Sequence, residues 1–254
     1  MDARDRRPTP VPLRPLHLLH RTDWEPAIPV SDDGPPARSG EPAGRPRGLF
    51  IAFEGGEGAG KSTQVRLLCQ WLAAHGRPPR ATFEPGGTPA GAAVRAIVLD
   101  RAHTGLSPRA EALLYAADRA QHAHAVLRPA LEAGEVVVTD RYVDSSLAYQ
   151  GAGRTIGLDD VAAISRWATL GLRPDLTVLL DLPPEIGLAR ARGRAAADRL
   201  ESESLEFHQR VRDTFRTLAA AAPGRYLVLD ATRGVEELAA DVRERVGALL
   251  EVHT

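Results

Sequence analysis

Lysine is almost absent from this chain. Of 32 basic residues one, Lys61, is a lysine and the other 31 are arginines. Against 33 acidic residues they leave a net charge of −1, which excludes a global pull toward nucleic acid polymers or an anionic membrane. A single cysteine, Cys69, rules out an internal disulfide and makes a reducing cytoplasm the expected compartment. No apolar stretch approaches the ~18–20 residues that span a bilayer. The opening residues, Asp2 and Asp5 followed by prolines, lack the apolar core of a secretory signal.

What the sequence does have is a phosphate loop built around that one lysine. Gly55-Gly56-Glu57-Gly58-Ala59-Gly60-Lys61-Ser62 fits GxxxxGK[ST] and follows the apolar run Leu49-Phe50-Ile51-Ala52-Phe53. Arginine replaces lysine almost everywhere else. Here a compact point charge must reach β- and γ-phosphates from a tight backbone cradle, which a planar guanidinium cannot do. The glycines turn backbone N–H groups toward the anion, and the helix that follows adds its positive end. Residues 55–63, ending on Ser62 and Thr63, are therefore expected to hold ATP, with Ser62 as a Mg²⁺ ligand.

Residues 1–47 hold ten of the 20 prolines, eight arginines and seven acids, with no periodic apolar face. Such a segment buries too little surface to offset its ordering entropy and is expected to be a disordered extension. Residues 48–254 form the second expected unit. Strands are predicted at 49–53, 80–83, 136–139, 176–180 and 226–229, and helices at 61–75, 89–99, 108–133, 158–170, 183–192, 201–222 and 235–251. Apolar strands alternating with helices predict an α/β fold: a P-loop NTPase with a five-stranded parallel sheet covered on both faces. Ligands should then gather at the carboxyl ends of the strands.

Glu84-Pro85-Gly86-Gly87-Thr88 follows the second predicted strand and Asp140-Arg141-Tyr142 the third. Asp140 suits support of Mg²⁺ through water, and Arg141 suits a second anion. Arg190, Arg192, Arg194 and Arg199 lie on an Ala-rich connector around Gly193, as a lid closing over a transferring phosphate requires. His122 and His124 are spaced for opposite helix faces, which argues against a metal site.

Five motifs together resemble thymidylate kinases: Phe53-Glu54-Gly55, Glu84-Pro85-Gly86-Gly87-Thr88, Asp140-Arg141-Tyr142, Ala148-Tyr149-Gln150-Gly151 and Arg173-Pro174-Asp175-Leu176-Thr177. They run in family order from about Gly48 to the C-terminus. The resemblance implies transfer of the ATP γ-phosphoryl group to dTMP with Mg²⁺, by a cytoplasmic homodimer. It implies that Tyr115 stacks on thymine, Arg119 bonds the base, Ser145 and Ser146 face the base edge, and Tyr149 lies under the sugar with Gln150 beside it. It gives Arg141 the acceptor phosphate and Glu57 a place near the acceptor sugar, with Glu84 also at the acceptor. Lys61, Asp140 and the lid arginines Arg192, Arg194 and Arg199 become the catalytic set, as in the bacterial branch whose lid supplies the arginine. One position departs: the family reads Arg before Glu-Pro-Gly-Gly-Thr, and here it is Phe83, with Arg80 three residues upstream. Phe83 supports an alternative, a kinase for another 5-modified pyrimidine deoxynucleotide. A non-catalytic P-loop nucleotide binder is a third reading, and the second nucleotide pocket and the arginine lid count against it.

Overall fold

The structure, a computed structural model, describes residues 48–192 and 198–252. The Pro-rich extension and residues 193–197, which include Arg194, lie outside the described residues. The five strands are β1 (Phe50–Glu54), β2 (Arg80–Phe83), β3 (Val137–Asp140), β4 (Leu176–Asp181) and β5 (Tyr226–Asp230). They form one parallel sheet in the order β2-β3-β1-β4-β5, with Phe50 opposite Val137 and Ile51 opposite Leu176. All four neighbouring pairs are parallel, as crossover helices require.

The central strands are apolar on both sides because both faces are covered. Ile51 and Phe53 of β1 point with Val178 and Leu180 toward α1 (Lys61–Ala74) and α9 (Val235–Val252), where Leu68, Leu72, Leu238, Val242 and Val246 are buried. Phe50 and Ala52 point the other way, against Ala123, Leu127, Ala130 and Leu131. On that second face, farther along the sheet, Leu179 and Tyr226 meet Phe207, Val211 and Phe215 of α8 (Leu205–Ala221). β2 is an edge strand, and Phe83 at its end is exposed.

Three helical regions differ from the sequence expectation. The helix predicted over 108–133 is one continuous column in three parts: α3 (Pro108–His122), a π-helical turn Ala123–Leu127 and α4 (Arg128–Glu132). Pro129 has no N–H to give the preceding turn, and the helix widens there so that Arg128 N–H reaches Ala123 O. Residues 143–153, where the sequence pattern predicts no element, form α5 (Val143–Ser146) and a π-helical stretch Leu147–Gly153. That segment lacks an amphipathic period because it is buried on nearly every side, so periodicity could not find it. The helix predicted over 201–222 starts at Leu205, where the Ser204 hydroxyl caps it by accepting from Phe207 N at 3.2 Å. The other helices are α2 (Pro89–Leu99), α6 (Leu158–Thr169) and α7 (Pro184–Arg192). No helix among the described residues is long and apolar enough to cross a membrane.

Candidate active site

Two cavities open at the carboxyl edge of the sheet. The larger, about 860 Å³, is lined by the phosphate loop from Glu57 to Thr63 together with Asp140 and Ala191. The smaller, about 190 Å³, is lined by Tyr115, Arg119, Ser145, Ser146, Tyr149 and Gln150 among others. Glu57, Glu84, Arg95, Arg141 and Glu201 line both, so the cavities meet at a seam carrying two arginines.

The loop is held in its cradle by glycine geometry. Gly58 has φ 65°, and a Cβ there would lie 2.1 Å from Gly187 O, so the loop sits backbone to backbone on α7. Gly60, at φ 95°, is the left-handed N-cap from which α1 starts at Lys61. Lys61 is buried, and its Nζ donates to Gly55 O at 3.1 Å and Gly56 O at 2.9 Å. Burial, aided by the nearby Arg141 charge, pulls its pKa below the ordinary lysine value. Ser62 Oγ donates to Asp140 Oδ2 at 2.7 Å. This pair of hard oxygen donors fits Mg²⁺, which usually keeps waters and takes its remaining ligands from phosphates.

Arg141 stands at φ 73° on the turn after β3, a conformation a non-glycine residue holds only where its surroundings demand it. Its N–H bonds Phe53 O at 2.9 Å. Its guanidinium donates to Glu57 Oε1 at 2.8 Å, Ser145 Oγ at 3.1 Å, Gly55 O at 3.2 Å and the Tyr149 hydroxyl at 3.3 Å. The Tyr149 hydroxyl donates to the same Glu57 oxygen at 2.7 Å. Burial alone would raise the Glu57 pKa, but Arg141 and then Lys61 hold it down at about 2.

Glu54, part of the Phe53-Glu54-Gly55 motif, holds this turn from below. Fully buried, it accepts from Tyr142 N at 2.8 Å, Ser145 N at 3.1 Å and Ser145 Oγ at 2.6 Å. Burial and the Asp144 charge push its pKa from 4.5 up to about 7. In that window the folded protein holds a proton that the unfolded chain has released. The stability this gives is full below about 4.5 and is lost as pH rises through about 7. Glu54→Gln should remove that fall, read as a flatter change in denaturation midpoint between about pH 5 and about pH 7. Equal slopes in the two proteins would contradict it.

In the second cavity Arg119 is fully buried. Its Nε donates to Glu84 Oε2 at 2.8 Å, Nη1 to Ser146 Oγ at 3.0 Å and Nη2 to Tyr142 O at 3.2 Å. Glu84, expected at the acceptor, lines both cavities and is held by Arg119. Its other oxygen lies 2.8 Å from His122 Nδ1, whose Nε2 is 2.7 Å from Thr82 Oγ1. The spacing of His122 to His124 carries no sign of this contact; its place one turn beyond Arg119 is the signal in the sequence. Asp118, likewise without a motif to mark it, accepts from Gly86 N at 3.1 Å and ties down the Glu-Pro-Gly-Gly turn. Gln150 Nε2 donates to Glu111 Oε1 at 2.9 Å.

The arginines expected on a lid separate. Arg192 ends α7 and is exposed. Arg199 is buried, lines neither of these cavities, pairs with Glu111 at 2.7 Å and donates Nε to Val98 O at 2.8 Å. The structure therefore does not bring Arg199 to the phosphate loop. Arg190, also expected on the lid, donates to Ala231 O at 3.1 Å. Arg80 pairs with Glu135 at the far end of β2, away from the seam. Arg95 lies beside Phe83: its guanidinium is 5.8 Å from the Phe83 ring centre, and Nη1 donates to Pro85 O at 2.8 Å. Its spacing from the Gly-Gly turn on α2 gave no motif to read.

The family model described as thymidylate kinase matches residues 53–242. A thymidylate kinase of Leifsonia xyli is 57% identical over 206 residues, covering 81% of this chain and 97% of the relative. One from Deinococcus radiodurans is 56% identical over 196 residues, covering 77% and 95%. The crystal structure of thymidylate kinase from Ehrlichia chaffeensis superposes with a TM-score of 0.65 at 28% identity, over 80% of this chain and all of that one.

Proposed function

The chain belongs to the thymidylate kinase family, and on that premise we propose that it transfers the γ-phosphoryl group of ATP to dTMP, giving dTDP. The observation that carries this reading is the pair of cavities meeting at Arg95, Arg141 and Glu57. A nucleotide on the phosphate loop and a monophosphate in the smaller cavity would bring donor and acceptor phosphates to one seam, where positioning and charge neutralisation do most of the catalysis.

In this reading Lys61 leaves Gly55 O and Gly56 O and turns its ammonium to the β- and γ-phosphates. Loop N–H groups hold the β-phosphate, and Arg141 exchanges Glu57 for the acceptor phosphate. Glu57 is then left to accept from the acceptor sugar. Tyr115 covers the base, while Arg119, locked by Glu84 and Ser146, presents its remaining N–H groups to the base edge. Tyr149 packs under the sugar. Ser62, and Asp140 through water, would hold Mg²⁺, which would neutralise phosphate charge. Arginine from the lid completes the charge around the transferred group. An ADP-release assay with dTMP, dUMP and dCMP tests the reading. We expect dTMP to be turned over fastest, and no turnover with dTMP would overturn it.

Arg95 is read as the acceptor-phosphate ligand that replaces the arginine missing at position 83. Arg95→Ala should raise KM for dTMP roughly 10- to 150-fold, the ~1.5–3 kcal/mol of a charged hydrogen bond. Phe83→Arg should lower KM little, since its charge would share one phosphate with Arg95. A large gain from Phe83→Arg, with no loss from Arg95→Ala, would reverse this assignment.

A cytoplasmic homodimer completes the proposal. α3 and α6 pack side by side, and they leave Leu113, Leu158 and Trp167 exposed, with Leu170 just beyond α6. Exposed apolar groups of this size suit an isologous contact with a second copy. Trp167→Glu should shift the sedimentation coefficient toward the monomer; an unchanged value would place the contact elsewhere.

A further inference from the structure

A third cavity of about 230 Å³ shares no lining residue with the two cavities described above. Three arginines from three separate elements converge on it: Arg101 beyond α2, Arg154 after the π-helical stretch, and Arg199 on the return from the lid. Thr104 and Ser202 add hydroxyls, and Glu203 is the one acid lining it among the described residues.

The acids behind this wall do not balance it. Glu203 takes Arg154 Nη1 at 2.6 Å, and buried Glu111 takes Arg199 Nη1 at 2.7 Å and Arg154 Nε at 3.1 Å. Two carboxylates thus face three guanidinium groups. Arg154 and Arg199 each keep a buried Nη2 with no hydrogen-bond partner among the described residues. Buried donors without acceptors are costly, and an arginine fork matches the oxygens of a tetrahedral oxyanion. Gathering a third positive charge here without a matching acid is the arrangement expected of an anion site rather than of a structural ion pair.

We propose that this cavity is a second, non-nucleotide anion site that takes a phosphate dianion, free or on a small ester. Its position gives it a route to the acceptor pocket. Residues 198–203 form a shared wall, with Asp198 and Leu200 facing the acceptor cavity and Arg199 and Ser202 facing this one. Glu111 holds Arg154 and Arg199 on this side and Gln150, which lines the acceptor cavity, on the other. Arg199 also fastens the wall to the end of α2, through Nε to Val98 O and N–H to Leu99 O at 3.2 Å.

The test is calorimetric, on the full chain. The enzyme is first saturated with ADP and dTMP, whose own heats are recorded, so failure of the kinase reading is seen separately. Inorganic phosphate and, in a second arm, glycerol 3-phosphate are then titrated against chloride of matched ionic strength. At least one should bind with unit stoichiometry, and the arm that binds identifies the source of the dianion. Arg101→Glu changes an exposed rim residue, and Thr104→Glu provides a second variant at the same rim. A tenfold or greater loss of affinity in either supports the site. No heat beyond the chloride control in either arm, or undiminished binding in both variants, overturns it.

Discussion

Lys61→Ala is expected to lower kcat by ~10²–10³, the effect of removing one preorganised donor from a developing charge, while the protein still unfolds cooperatively at a similar temperature. Lys61→Arg should fail almost as badly, although it keeps the charge. The Nζ sits 2.9–3.1 Å from two loop carbonyls, in a cradle whose Gly58 already touches α7 backbone. A guanidinium would have to displace that backbone or stop short of the γ-phosphate. Single-turnover transfer from ATP to dTMP is the measurement. Retention of more than about a tenth of kcat by Lys61→Arg, a barrier increase below ~1.4 kcal/mol, would show that charge alone suffices.

The second large effect divides the lid arginines by role. Arg199→Ala should act on stability. It leaves buried Glu111 with Arg154 and Gln150 but without its closest cation, and breaking a buried pair costs ~3–5 kcal/mol. The lower end applies here because two partners remain. Arg192→Ala or Arg194→Ala should act on rate instead, at least one lowering kcat by ~10² or more with little change in dTMP binding, as for a contact formed mainly in the transition state. Denaturant midpoints and kcat measured on all three variants separate the roles. If Arg199→Ala kept its midpoint and lost kcat, Arg199 would be the residue that reaches the phosphate. If neither of the others lost rate, the catalytic arginine would have to come from elsewhere.

By itself the sequence determined what depends on neighbours along the chain. The phosphate loop, the five strands to within about a residue, the helix starts at Pro89 and Pro108, and the motifs at the strand ends are local patterns of size, polarity and backbone freedom. Tertiary structure alone decided which charges meet. Glu84 was legible as an acid near the acceptor, but only the packing of β2 on α3 turns it onto Arg119 and His122. Arg199 looked like one more lid arginine until α3 brought Glu111 to it. Arg95 belonged to no motif, yet α2 lays it over Phe83, where the family arginine is missing. Each of these pairings joins residues far apart in sequence. A side chain that must be buried takes the partner that folding places beside it, and no spacing along the chain records which partner that is.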